Sequence, residues 1–81
     1  MTPKQLRAIV VEEIGNIAPE AYTAALADDA DLRETLDMDS MDIFNLVVAL
    51  SQRLAIDIPE ADVPKLVTLG GAIGYLGARG A

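Results

Sequence analysis

The chain has 81 residues, 52% of them hydrophobic, with no cysteine, histidine or tryptophan, and a formal net charge of −7 from thirteen acids and six bases. Disulfides, thiolate metal sites and cysteine nucleophiles are thereby excluded, the commonest general base is absent, and nucleic-acid or anionic membrane partners are disfavoured because both repel a net anion. One small domain over 1–81 is expected, burying only about 60% of its unfolded surface or a little more, around a core of Leu, Ile, Val and Ala that is most simply built by packing helices.

Thr2 with Gln5 three residues later reads as a capping box, Pro3 takes the first helical position, and Leu6, Ile9, Val10, Ile14 and Ile17 follow at helical spacing. A first helix is therefore predicted from about Pro3 to about Ile14, with Gly15-Asn16 as its stop and Glu13 reaching around the edge of the apolar stripe to water. Met1-Thr2-Pro3-Lys4-Gln5 leads directly into this pattern rather than into a secretory signal, and no apolar run approaches the ~20 residues of a membrane span. A soluble cytoplasmic protein without membrane insertion is expected.

From Asn16 to Asp39 the chain is less regular. A helical piece is expected at Pro19–Leu26, followed by the acidic segment Asp28-Asp29-Ala30-Asp31, with Leu26, Leu32 and Leu36 pinning this long connection to the core. Seven of the thirteen acids lie between Asp28 and Asp42, where they solvate the loop and steer basic partners.

The second helix follows Leu36-Asp37-Met38-Asp39-Ser40-Met41-Asp42. Asp39 or Ser40 is the N-cap, Asp42 places a carboxylate in the first turn, and Ile43 to Leu50 supply the body. At about 100° per residue its apolar residues separate into two stripes: Ile43, Leu46, Val47, Leu50 and Leu54 on one, Met41, Phe44 and Val48 on the other. A helix in a small bundle buries one of these, so the second is expected to stay exposed beside Ser40. Ser40 itself would present its hydroxyl to water at the positive end of the helix, a favourable place for an esterified phosphate.

Ala55-Ile56-Asp57-Ile58-Pro59 reads as an extended link. Pro64 keeps any third helix over Glu60–Leu66 short. Thr68 caps a last helix with the stripe Leu69, Ala72, Ile73 and Leu76, weakened by Gly70, Gly71 and Gly74 at about 1 kcal/mol each relative to alanine, and 77–81 reads as a frayed tail. The fold expected is all-α: a small four-helix bundle of three longer helices and a short third one, with a long first loop.

Other chemistries fit poorly. Asp37-x-Asp39-x-x-Asp42 lacks the glycine turn of a calcium loop and has Val48 at its twelfth position, so no dedicated metal site is expected, which leaves open only weak divalent binding by the acidic loop. Nothing marks Asp39 and Asp42 as a buried catalytic pair, and the glycines at 70, 71, 74 and 77 follow no predicted strand, which argues against a dinucleotide site. No catalytic residue is assigned.

Asp39-Ser40-Met41-Asp42, with Leu36 before it and a long apolar helix after it, resembles the Asp-Ser-Leu-(Asp/Glu) signature of acyl carrier proteins. Ile56-Asp57-Ile58-Pro59 resembles the family's link before its short third helix, and the similarity spans about Leu6 to Leu76. The resemblance implies that Ser40 carries 4'-phosphopantetheine, attached from coenzyme A by a phosphopantetheinyl transferase, and that the arm holds acyl groups as thioesters. It further implies a monomeric carrier of lipid or fatty-acid metabolism that catalyses nothing and docks on acyl-transferring or acyl-activating enzymes with basic surfaces. Asp39, Met41, Asp42, Phe44 and Val48 would meet those enzymes, and Ile43, Leu46 and Val47 would line a shelter for the acyl chain. An aminoacyl or peptidyl carrier shares this chemistry, and a non-catalytic helical interaction module with Ser40 as a mere cap is the reading from a different class.

The chain departs from the family's pattern at Met38, where glycine or alanine is common, and at Met41, which replaces leucine with similar volume. Asn45, Ser51 and Gln52 stand at positions commonly acidic in fatty-acid synthesis carriers, and Arg53 adds a positive charge. A specialised carrier with a dedicated set of partners is the expectation.

Overall fold

The computed structural model describes residues 1–21, 23 and 26–81. In chain order it contains α1 (Pro3–Ile17), α2 (Leu32–Thr35), α3 (Ser40–Leu54), a 3-10 helix η1 (Glu60–Leu66) and α4 (Leu69–Ala78). Among the described residues there is no strand, only an isolated antiparallel bridge between Asp31 and Thr68. α1 packs against both α3 and α4, and η1 packs against the same two helices. The all-α bundle expected from the sequence is the fold observed.

At the head of α1 the Thr2–Gln5 capping box forms, with the Gln5 N–H donating to Thr2 Oγ1 at 3.2 Å and the Thr2 N–H to Gln5 Oε1 at 2.9 Å. Leu6, Val10 and Ile14 are the buried face. The helix does not stop at Gly15-Asn16 but runs to Ile17. Its end is set by Ala18, which precedes Pro19 and is pushed out of the helical region by the proline ring. Glu13, expected at the edge of the stripe, is held there by the Asn16 amide at 3.1 Å and by Arg53 of α3 at 3.8 Å.

The helical piece expected over Pro19–Leu26 is not found in the described part of that stretch: Pro19 and Glu20 form a turn, Ala21, Thr23 and Leu26 are non-helical, and Tyr22, Ala24 and Ala25 lie outside the described residues. Order in the connection comes instead from anchors. Leu26 and Leu32 are buried and Leu36 partly so. Arg7 donates to the Leu26 carbonyl at 2.8 Å and pairs with Asp28, the Gly70 N–H donates to the Asp28 carbonyl at 2.7 Å, and the Leu32 N–H to the Val67 carbonyl at 2.8 Å. The acidic loop is thus tied to α1 and to the head of α4 through its backbone. One turn of helix, α2, was not expected; Asp31 caps it by accepting the Arg33 N–H at 2.9 Å.

α3 ends at Ala55, a non-glycine residue at φ +54°, where the Ile56 N–H returns to the Ser51 carbonyl at 3.1 Å and the Ser51 hydroxyl donates to the Ile56 carbonyl at 2.6 Å. The following turn keeps Pro64 by winding as a 3-10 rather than an α-helix. In α4 the glycines are not simply a weakness. A Cβ at Gly71 would lie 2.6 Å from the Lys65 carbonyl oxygen and 2.7 Å from Thr68 Oγ1, whereas at Gly74 it would meet nothing within 4 Å. Nor is 77–81 all tail: Gly77 and Ala78 are helical, Gly80 at φ +91° closes the end, and the Ala81 N–H reaches back to the Leu76 carbonyl at 3.1 Å, a Schellman arrangement.

Candidate functional site

The head of α3 is built by four residues, of which only the second, Met38, is buried. Asp37 is in the left-handed region at φ +55°, Met38 turns into the core at 3% exposure, and Asp39 is extended at φ −87°, ψ 179°. Asp39 is the N-cap. Its Oδ1 accepts the Asp42 N–H at 2.8 Å, and its own N–H donates to Asp42 Oδ2 at 3.3 Å, a reciprocal capping box. Ser40 is therefore the first helical residue, exposed, with the capping done by its neighbour. Its hydroxyl stands at the positive end of a 15-residue helix.

Beyond Ser40 the two stripes separate as expected. Ile43, Leu46 and Val47 are buried, while Met41, Phe44 and Val48 are 63%, 46% and 37% exposed. Phe44, Val47 and Val48 form one wall of an open groove of about 360 Å³ whose other wall includes Ile58 and Val63. A second open cleft of about 460 Å³ is lined by Asp37 and Asp42 together with Glu20, Ile17 and Leu36.

Much of the formal charge is already paired. Arg33 grips Asp31 with two nitrogens, at 3.1 and 2.8 Å, and this hydrogen bonding brings the Asp31 carboxyl down to about 2. Arg53, the positive charge that the sequence adds to this helix, faces α1, 3.0 Å from Glu12. At the far end Asp62 accepts from the Tyr75 hydroxyl at 2.7 Å and pairs with Lys65 at 3.1 Å and Arg79 at 3.2 Å, so its carboxyl is held below its usual range, first by the Tyr75 hydrogen bond. These contacts latch η1 to α4. Among the described residues, no group of three or more acidic side chains is arranged to hold a metal ion, and no helix is long and apolar enough to cross a membrane.

The structure thus brings Ser40, Asp39, Asp42, Met41, Phe44 and Val48 to one exposed end and side of α3, and Ile43, Leu46 and Val47 to the core beneath. The feature the sequence reading passed over is the burial of Met38. The pattern Asp37-Met38-Asp39 signals it, as an apolar residue set between two acids is the one of the three that gains from burial.

Residues 4–76 match the family model described as the phosphopantetheine attachment site. The chain is 32% identical over 73 residues to an acyl carrier protein of Campylobacter hominis, covering 90% of this chain and 86% of that one. It is also 32% identical over 74 residues to an acyl carrier protein of Chlamydia trachomatis, covering 91% and 90%. A solved structure of the Enterococcus faecalis acyl carrier protein superposes with a TM-score of 0.80 over 98% of this chain and 99% of that one, at 23% identity, and so shares the fold. The small helical bundle with an exposed serine heading its central helix is that of a carrier domain. The chain belongs to the acyl carrier protein family and has that family's phosphopantetheine attachment domain.

Proposed function

We propose that Ser40 is the residue that bears 4'-phosphopantetheine, and that the protein is a non-catalytic, monomeric, cytoplasmic carrier presenting acyl groups to partner enzymes. The observation that carries the assignment is the division of labour at the head of α3. A serine preceding an apolar helix is ordinarily explained as its N-cap, but here Asp39 fills that role and Ser40 is left exposed at N1. The hydroxyl is thus free to attack the pantetheine-bearing phosphorus of coenzyme A on a phosphopantetheinyl transferase, losing its proton as the P–O–P bond breaks and adenosine 3',5'-bisphosphate leaves, with the helix N-terminus favouring the phosphodiester that results.

The attached group supplies a terminal thiol that holds acyl chains as thioesters. The chain's own residues do the rest. Met41, Phe44 and Val48 offer a partner enzyme an apolar contact within three turns of Ser40, and Asp39 and Asp42 mark the serine end for basic groups on that partner. Docking there confines the arm near the partner's active site and raises its effective concentration. Ile43, Leu46 and Val47 offer an aliphatic interior in which an acyl tail can be sheltered from water.

The uncharged outer face at Asn45 and Gln52, with Arg53 turned toward α1, supports a dedicated partner set rather than enzymes that depend on a uniformly acidic helix. The test is to incubate the protein with coenzyme A and a broad-specificity transferase and to locate the added phosphopantetheine by fragmenting the peptide that spans 34–53. Placement on Ser40 is expected, and placement on Thr35 or Ser51 would overturn the assignment.

A further inference from the structure

We propose that Met38 is the movable stopper of the acyl shelter and sets the length of chain the protein can sequester; this rests on the sheltering role proposed above for Ile43, Leu46 and Val47. Fourteen buried hydrophobic residues form the core among the described residues, and Met38 is the one long, unbranched side chain in that set; the others are Leu, Ile, Val or Ala. It is also the buried side chain closest in sequence to Ser40. The left-handed turn at Asp37 and the extended Asp39 fix the segment so that the flanking acids face water while Met38 faces the interior.

A close-packed core admits a tethered chain only where a side chain yields. β- and γ-branched residues hold one or two rotamers, whereas methionine has three rotatable side-chain bonds and a soft thioether that repacks at little expense. A chain that folds back from Ser40 toward Ile43 and Val47 enters the buried cluster to which Met38 also belongs, and Met38 is attached only two residues from the serine. Withdrawal of that side chain opens the path, and its volume limits what fits behind it. Truncation to alanine removes Cγ, Sδ and Cε, room for about three methylene groups.

The protein contains its own probe, since its three methionines comprise one that is 3% exposed and two, Met1 and Met41, that are both 63% exposed. Holo-protein labelled at the methionine methyls and loaded with saturated acyl chains of increasing length should show the Met38 methyl resonance moving stepwise, with Met1 fixed. In parallel, protection of the thioester from hydroxylamine should extend to chains about three carbons longer in Met38→Ala, while Met38→Leu, which conserves volume, keeps the native limit. An unchanged length limit in folded Met38→Ala, or a static Met38 methyl while Ile43 and Val47 methyls move, overturns the stopper and leaves the shelter standing. If no core methyl moves and thioesters of every length are cleaved alike, the shelter fails and the stopper with it. Should Met38→Ala not fold, the methyl titration of the native protein decides.

Discussion

Asp39 and Ser40 are neighbours with separate duties, and substitution separates them. Asp39→Ala removes the acceptor of the Asp42 N–H and should lower stability by about 1 kcal/mol in urea unfolding, while Ser40→Ala, at an exposed N1 position, should stay within about 0.5 kcal/mol of native. A Ser40→Ala loss as large as that of Asp39→Ala would mean that the serine is the cap after all. Asp31 gives a pH signature. Its carboxyl lies at about 2 in the folded protein against an ordinary 3.8, so its contribution is complete above pH ~4 and is lost as pH falls toward 2. Asp31→Asn retains a capping side chain but not the charge. The stability gap between native and Asp31→Asn, measured by urea unfolding, should therefore be open at pH 6 and nearly closed at pH 2. A gap that does not change with pH would refute the Arg33 pairing as its source.

At the scale of elements, α4 and α3 each carry a prediction. Gly71→Ala forces a Cβ against the Lys65 carbonyl at 2.6 Å and should destabilise, whereas Gly74→Ala, with nothing within 4 Å, should stabilise by up to about 1 kcal/mol. Thermal melts of the pair should move in opposite directions. Along α3, Phe44→Ser should leave the melting temperature nearly unchanged yet slow acyl transfer by a partner enzyme; unfolding of this variant would make Phe44 a core residue. α3 was legible in the sequence because its apolar run is long and its two stripes are distinct, while its cap, open between Asp39 and Ser40 in the sequence, is fixed by the Asp39–Asp42 box in the structure. The end of α1 was not, since Gly15-Asn16 resembles a stop while Ala18-Pro19 enforces one. α2 is a single turn, too short to show a period. The reason for glycine at 71 and the partner of Arg53 depend on η1 meeting α4 and on α3 meeting α1, contacts that no local pattern encodes.

For the molecule as a whole, an aliphatic core holds α1, α3 and α4 together while the acidic connection is pinned to α1 by the Arg7 side chain and to the head of α4 by backbone hydrogen bonds, with Arg7, Arg33 and Arg53 each committed to an acid. One exposed region combines three features: a serine at the head of α3, the two carboxylates of its capping box and an apolar stripe along the same helix. Composition and the Asp39–Asp42 motif made this general plan readable from residues alone, and packing supplied what they left open, above all that Met38, two residues before Ser40, is buried in the core. The most direct test of the central claim is the intact mass of native protein and of Ser40→Ala after incubation with coenzyme A and a broad-specificity phosphopantetheinyl transferase. Native protein should gain the mass of one phosphopantetheine and Ser40→Ala, folded to the same stability, should gain none. No added mass on native protein across several such transferases, or equal modification of Ser40→Ala, would contradict it.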